Sequence, residues 1–481
     1  MDKELSKNIS NLSKYFNNNH NFIKRNTLIY GKDATIFYIE GLIDTTMLSE
    51  SILKPCQMIS NTPYTIDQDM IEYLSITLPI SKTEVCSDIS TICEELTNGK
   101  GVLMVDGYSG AILLDLEKVQ MRAITEPPTN TVAKGPRAGF VENIKTNISC
   151  IRKILSTDKL KVETKNIGRY TKTMVSILYI DGIANKEIVN KISKRLDEID
   201  IDGIIDSFYI VSFLEEHKYS MFKEVGQTEK PDILSAKMLE GRVGILVDGS
   251  PIALTLPFML FEDIQSSNDY YSESHHTSFV RVLRLLSILI TIALPGVYIA
   301  IQLHHYKAFP LKFLITIINS TQNLPLTPFL EMIFVLVLFE ILYEASIRMP
   351  KYMGIAMSIV GALILGDTAV KAGLVSPPAV MIVAVSGITL YTVPEQSDQI
   401  SVLRFAFTIV GGALGIYGMV LFGLFILIYL NDFDSYGVPY LSPYAPYIYD
   451  DTKDGIFQKD LLSMTSRPKS LKGKNNIRLK K

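Results

Sequence analysis

Apolar residues change their rhythm along this chain. Up to about residue 280 they come in short runs of strand length broken by polar and turn residues. Thr35 to Ile39 and Met174 to Ile180 read as strands, and Thr45 to Leu53 and Lys186 to Leu196 as helices. Beyond that point the runs are long. Leu285 to Leu303 is 19 residues without a charge, and Phe405 to Leu430 is 26. About 20 apolar residues cross a bilayer core as a helix. The pattern therefore predicts spans over 285–303, about 326–345 and 401–430, with a broken apolar region over 352–393.

The N-terminal half carries an internal echo. Ile36-Phe-Tyr-Ile-Glu-Gly41 matches Ile177-Leu-Tyr-Ile-Asp-Gly182 at an offset of 141 residues, and Leu103-Met-Val-Asp-Gly107 matches Ile245-Leu-Val-Asp-Gly249 at 142. Two matches in one order at nearly one offset predict a duplicated domain. Each copy reads as a small α/β unit that closes with a hairpin at its Asp-Gly pair, Asp106-Gly107 or Asp248-Gly249. The expected fold class is an α+β or α/β N-terminal half of duplicated small domains, followed by an α-helical polytopic membrane domain. The expected boundaries are 1–130 and 131–275 for the two copies, 280–432 for the membrane domain and 433–481 for a basic cytoplasmic tail. The breaker-rich stretch Glu126-Pro-Pro-Thr-Asn130 onward to Gly135-Pro136 reads as the linker between the copies.

Composition narrows the class. Charged residues make up 20% of 481 and the net charge is −3, which excludes a polyelectrolyte and a general nucleic-acid binder. The start, MDKELSKNISNLSKYFNNNHNF, has no apolar central stretch, so the N-terminal half is expected to stay in the cytoplasm. Cys56, Cys86, Cys93 and Cys150 show no CxxC spacing and read as reduced packing residues. Cys86 and Cys93, seven apart, are expected on one face of a helix. The Asp-Gly aspartates read as turn chemistry rather than metal ligands, since nothing near them supplies further oxygens. No Walker, GxGxxG, HExxH or GxSxG motif is present, so neither an enzyme nor a cofactor is expected.

Candidate chemistry lies mainly in the apolar half. Glu331, Glu340 and Glu344 fall in or at the end of the second span, with Arg348 following. Ionisable groups at membrane depth face a cavity, a partner or a pathway. Glu340 divides between an ion pathway and a structural role, whereas Glu344 with Arg348 reads as an edge pair. Gly354, Ser358, Ala362 and Gly366 recur every four residues, a stripe that suits close helix packing. Asp367 and Lys371 then interrupt the run. Either two short helices surround a polar break, as in ion sites, or two ordinary spans join at a turn. Glu331, Glu340 and Asp367 are the candidate ion-pathway or gating groups. In the N-terminal half, Arg137 and Arg152 belong to a basic stretch, 137–153, that is a candidate interface for an anion or an acidic partner.

Several stretches carry a family resemblance. They are GPRAGFVENIKTNISCIRKIL (135–155), GRYTKTMVSILYIDGI (168–183) and GRVGILVDGSPIALTLPFMLFEDIQSSNDYY (241–271). In the apolar half they are FEILYEASIRMP (339–350), SIVGALILGDTAVKAGLVSPP (358–378) and SYGVPYLSPYAPY (435–447). The chain resembles the A subunit of the GerA-type spore germination receptors. The resemblance implies an integral protein of the spore inner membrane that assembles with a permease-like B subunit and a lipoprotein C subunit. It further implies nutrient sensing, oligomerisation into a channel and release of monovalent cations. An ion-coupled secondary transporter and a non-conducting scaffold are the alternatives.

Topology follows from charge. Arg281 and Arg284 flank the entry to the first span, Arg348 and Lys351 follow the second, and Arg404 precedes the last, a cue that conflicts with the heavier one from the tail. From Leu461 to Lys481 there are seven basic residues and no acidic one, which places the tail inside, near anionic lipid. An even number of crossings then follows. The expectation is four, with 352–393 crossing once; two crossings there give five and an external tail.

Overall fold

The computed structural model describes residues 1–16, 19–60, 69–80, 82–116, 134–322, 324–348, 361 and 364–479. The chain divides into two compact units. One is Met1–Phe258 with Ser435–Val438 and Met464–Lys481; the other is Met259–Asp434 with Pro439–Ser463.

The first unit holds two five-stranded sheets. Strands β1 (Phe22–Ile29), β2 (Lys32–Ile39), β3 (Thr83–Cys86), β4 (Gly101–Val105) and β5 (Ala111–Leu114) form the order β1-β2-β4-β5-β3. Strands β6 (Leu160–Ile167), β7 (Thr173–Ile180), β8 (Gly226–Thr228), β9 (Val243–Val247) and β10 (Ala253–Leu256) repeat it as β6-β7-β9-β10-β8. Every pairing is antiparallel, so each copy is an α+β unit rather than a parallel α/β one. Thr35 pairs with Met104 and Ser176 with Leu246, which preserves both sequence offsets in the register.

The helices repeat as well. In the first copy they are α1 (Leu5–Tyr15), a helical stretch over 45–59 that includes the expected helix at Thr45 to Leu53, α2 (Met70–Thr77) and α3 (Ile89–Thr97). In the second they are α4 (Ile144–Ile154), α5 (Lys186–Asp197), α6 (Ser207–Leu214) and α7 (Pro231–Glu240). Strand order in sequence makes α1 equivalent to α4, the 45–59 stretch to α5, α2 to α6 and α3 to α7. Cys86 lies in β3 and Cys93 in α3, so the two do not share a helix face as their spacing suggested.

The Asp-Gly pairs differ from the expected tight turn. Five residues separate β4 from β5 and β9 from β10, and in each pair only the glycine is left-handed, Gly107 at φ 88° and Gly249 at φ 87°. The aspartates serve the helix at the start of each copy. Asp106 Oδ1 accepts from Leu5 N at 3.0 Å and Asp248 Oδ1 from Ile144 N at 3.1 Å. Both satisfy a first-turn N–H that has no partner within its own helix. A buried asparagine completes each copy. Asn8 holds both backbone groups of Asp2, at 3.0 and 2.6 Å, and Asn147 those of Val141, at 2.9 and 2.5 Å.

The second unit is helical: α8 (Ser274–His304), α9 (Leu311–Thr321), α10 (Pro328–Arg348), α11 (Pro377–Leu390) and α12 (Ser397–Asp432). Among the described residues two helices are long and apolar enough to cross a membrane, Ser274–His304 and Pro394–Asp432. The latter is not one rod. Gly415 has φ 68° and ψ −165° inside it, and the Phe407 and Phe422 rings lie 5.1 Å apart. Fifteen residues of straight helix would separate them by about 22 Å. So α12 doubles back at Gly415 as two arms, 397–414 and 416–432. His304 Nε2 lies 2.9 Å from the Gly412 carbonyl, which the break releases from the helix ladder. A Cβ added at Gly296 would stand 2.6 Å from Phe407 O, and one at Gly411 2.6 Å from Gly296 O. Backbone meets backbone where α8 packs on the first arm.

The segment 433–481 is not a free basic tail. Ser435–Val438 and Met464–Lys481 belong to the sheet unit. Tyr436 Oη donates to Leu214 O at 2.8 Å, Ser435 Oγ to Glu224 O at 3.0 Å, and Arg467 Nε to Leu239 O at 2.7 Å. These basic residues follow a chain anchored by backbone acceptors, a role that their charge alone did not reveal.

Candidate functional site

Four helical segments of the second unit meet around one charge. Arg404, on the first arm of α12, is fully buried and pairs with Glu340 of α10. Its Nη1 donates to Ser386 Oγ of α11 at 3.2 Å. Ser386 Oγ donates in turn to Thr291 O of α8 at 3.0 Å, and the Thr291 and Thr389 hydroxyls lie 2.8 Å apart. The guanidinium carbon stands 5.4 Å from the centre of the Phe339 ring. Arg404 Nε has no partner. Among these neighbours Glu340 alone carries the counter-charge, and removing one partner of such a pair leaves the other uncompensated. Glu340 keeps 26% of its side chain exposed, so the pair sits where the bundle interior meets its surroundings.

The other predicted groups are not brought to this site. Glu331 is buried and accepts from Ser376 N at 2.5 Å, at the N-terminus of α11, where unpaired N–H groups and the helix dipole favour a carboxylate. The Tyr298 hydroxyl is buried without a partner. Asp367 is exposed and pairs with Lys371 at 2.7 Å one helical turn on. Glu344 and Arg348 form an exposed pair at 2.6 Å, as an edge pair should. Gly354, Ser358 and Ala362 lie outside the described residues. Gly366 is exposed, and among the described residues nothing lies within 4 Å of an added Cβ.

In the sheet unit, Arg137 is exposed. Arg152 corrects its expected role as an interface cation: it is buried, it donates to Asn19 Oδ1 at 2.7 Å, and desolvation lowers its pKa to about 10. Its neighbour Lys145 reaches Glu40 at 2.7 Å. Arg152 and Lys145 therefore join the two copies. Among the described residues no group of three His, Cys, Asp or Glu could hold a metal.

Charge reading missed two clusters. Arg404 counted only as a flank of the last span. Yet Ile400, Val402 and Leu403 precede it, so it already lies inside the apolar run. Arg281 and Arg284 counted as flanks too. Both clamp Asp269, Arg281 Nε at 2.9 Å and Arg284 Nη2 at 2.9 Å, and Arg281 also meets Asp454 at 3.0 Å.

Comparisons with known proteins agree with one another. The family model described as Bacillus/Clostridium GerA spore germination protein matches residues 10–470. Spore germination protein KA of Bacillus subtilis is 34% identical over 482 residues, 98% of this chain and 88% of its own length. The uncharacterized membrane protein YfkQ of Bacillus subtilis is also 34% identical, over 90% of this chain and 84% of its own. Among solved structures, the crystal structure of the N-terminal domain of the A subunit of the Bacillus megaterium spore germinant receptor GerK3 is 29% identical. It covers 54% of this chain and 98% of its own, with a TM-score of 0.42.

Proposed function

The chain belongs to the GerA family of spore germination proteins, and we propose that it is the A subunit of a nutrient-sensing receptor that forms or gates a cation-release path in the spore inner membrane. The observation that carries this reading is the Glu340–Arg404 pair. An isolated ion pair held among apolar helices costs several kcal/mol to desolvate, and a purely structural bundle gains more from apolar contacts there. The pair joins α10 to the doubled-back α12, two elements whose relative shift would open or close a path.

The helices cross the membrane six times on this reading. Gly361 lies beside Leu342 and Ser376 beside Glu331, while Tyr391 returns to Tyr343 at 5.7 Å. From Gly361 the chain thus runs along α10 to Ser376 and back to Tyr391, which this reading counts as two passes, and the hairpin of α12 passes twice more. The number stays even, as the basic C-terminal segment requires, although not at four. The sheet unit is cytoplasmic, and B and C subunits and further copies of this chain are its partners. The role is non-enzymatic.

A transporter reading predicts substrate uptake, and a scaffold reading predicts indifference to charge. The test is the purified full chain in proteoliposomes. A cation leak without substrate uptake, altered severalfold by Glu340→Gln, is the expected result. Substrate-coupled uptake, or a leak identical in wild type and variant, would contradict the proposal.

A further inference from the structure

The two copies in the sheet unit share a strand order and register, which makes each a control for the other. They differ on one outer face. Helix α2 of the first copy exposes Glu72, Ile76 and Thr77. Its equivalent α6 buries Ile210, Val211 and Leu214 but exposes Phe208 at 63%, Tyr209 and Phe213. The loop that follows adds Lys218, Met221 and a fully exposed Tyr219. The shared fold therefore does not require these aromatic side chains outside. A contiguous exposed apolar patch marks a contact surface.

We propose that this face of α6 and the loop after it rest on the headgroup layer of the phospholipid bilayer. The inference rests on the reading that α12 spans the membrane. Three observations favour lipid as the occupant. The exposed groups are Phe and Tyr with a free-standing lysine, the mixture that settles at membrane interfaces. The chain has no tryptophan to take that place elsewhere. A short stretch of chain also links the end of α6 to a span. Tyr436 bonds to Leu214 O, at the end of α6, and lies four residues past Asp432, the end of α12. Four residues reach at most about 14 Å.

The absence of native tryptophan supplies the probe. The full chain, in nanodiscs of phosphatidylcholine and phosphatidylglycerol, is compared as Phe208→Trp, Tyr219→Trp, Met58→Trp and Ile428→Trp, all at exposed positions. Lipids brominated near the glycerol end of the acyl chain should roughly halve emission from positions 208 and 219 and also quench position 428, leaving position 58 unchanged. Quenching at 428 with none at 208 and 219 would overturn the docking alone. Shielding of 208 and 219 from both bromolipid and aqueous acrylamide would assign the face to a second protein copy and overturn it as well. No quenching at 428 would overturn the spanning reading, and the docking with it.

Discussion

Asn147 satisfies both backbone groups of Val141 from a buried position, and Asn8 does the same for Asp2. Asn147→Ala leaves a buried N–H and C=O unpaired. It should destabilise the sheet unit by about 1–3 kcal/mol, measured as a lowered urea midpoint. Asp248→Ala removes a first-turn acceptor and should remove about 1 kcal/mol. Thiol chemistry gives a second check. Burial pushes Cys56 and Cys93 up to about 11 and raises Cys150 as well. Their reactive thiolates are therefore scarce at pH 8 and grow as pH rises towards those values. Only the partly exposed Cys86 should alkylate quickly in the native chain, with the other three following on denaturation; more than one fast thiol would contradict the burial. These residue-scale roles were only half legible. Asp106 and Asp248 stood out because they repeat, but the helix they cap lies some hundred residues away in sequence. Local turn rules see only neighbours.

Elements were legible where a period exists. The sheets announced themselves through repeated apolar strands closing on Asp-Gly, and the register kept the offset. The hairpin of α12 did not. The run from Phe405 to Leu430 passes through the turn without a charge, so it reads as one helix, and Gly415 is indistinguishable in sequence from packing glycines such as Gly411. Structure separates them: Gly415 alone in that helix has a left-handed φ, and an added Cβ would stand 3.2 Å from His304 and His305. Gly415→Ala should therefore cost more than Gly423→Ala, where the nearest contact is an ordinary 3.8 Å, by about 1–2 kcal/mol from the backbone alone. Detergent melting temperatures of the two variants report the difference. A cysteine pair replacing Phe407 and Phe422 should crosslink within one chain. Failure to do so in a folded protein would restore the straight helix.

Across the whole molecule the chain passes between its two units at 258, 434, 438 and 463, so the C-terminal segment contributes to both. With six crossings its end lies on the cytoplasmic side. Ser470 is buried and a poor reporter, whereas Asn475 is exposed. Asn475→Cys should resist an impermeant reagent applied to the outer face of the membrane; labelling there would make the number of crossings odd. The central claim is that the Glu340–Arg404 pair controls cation release, and a charge swap tests it most directly. Nutrient-triggered release of monovalent cations is measured from spores that depend on this receptor. Arg404→Glu should abolish the release or uncouple it from nutrient, and Arg404→Glu combined with Glu340→Arg should restore it substantially. Wild-type release from the single Arg404→Glu variant, with the protein present at normal level, would contradict the account.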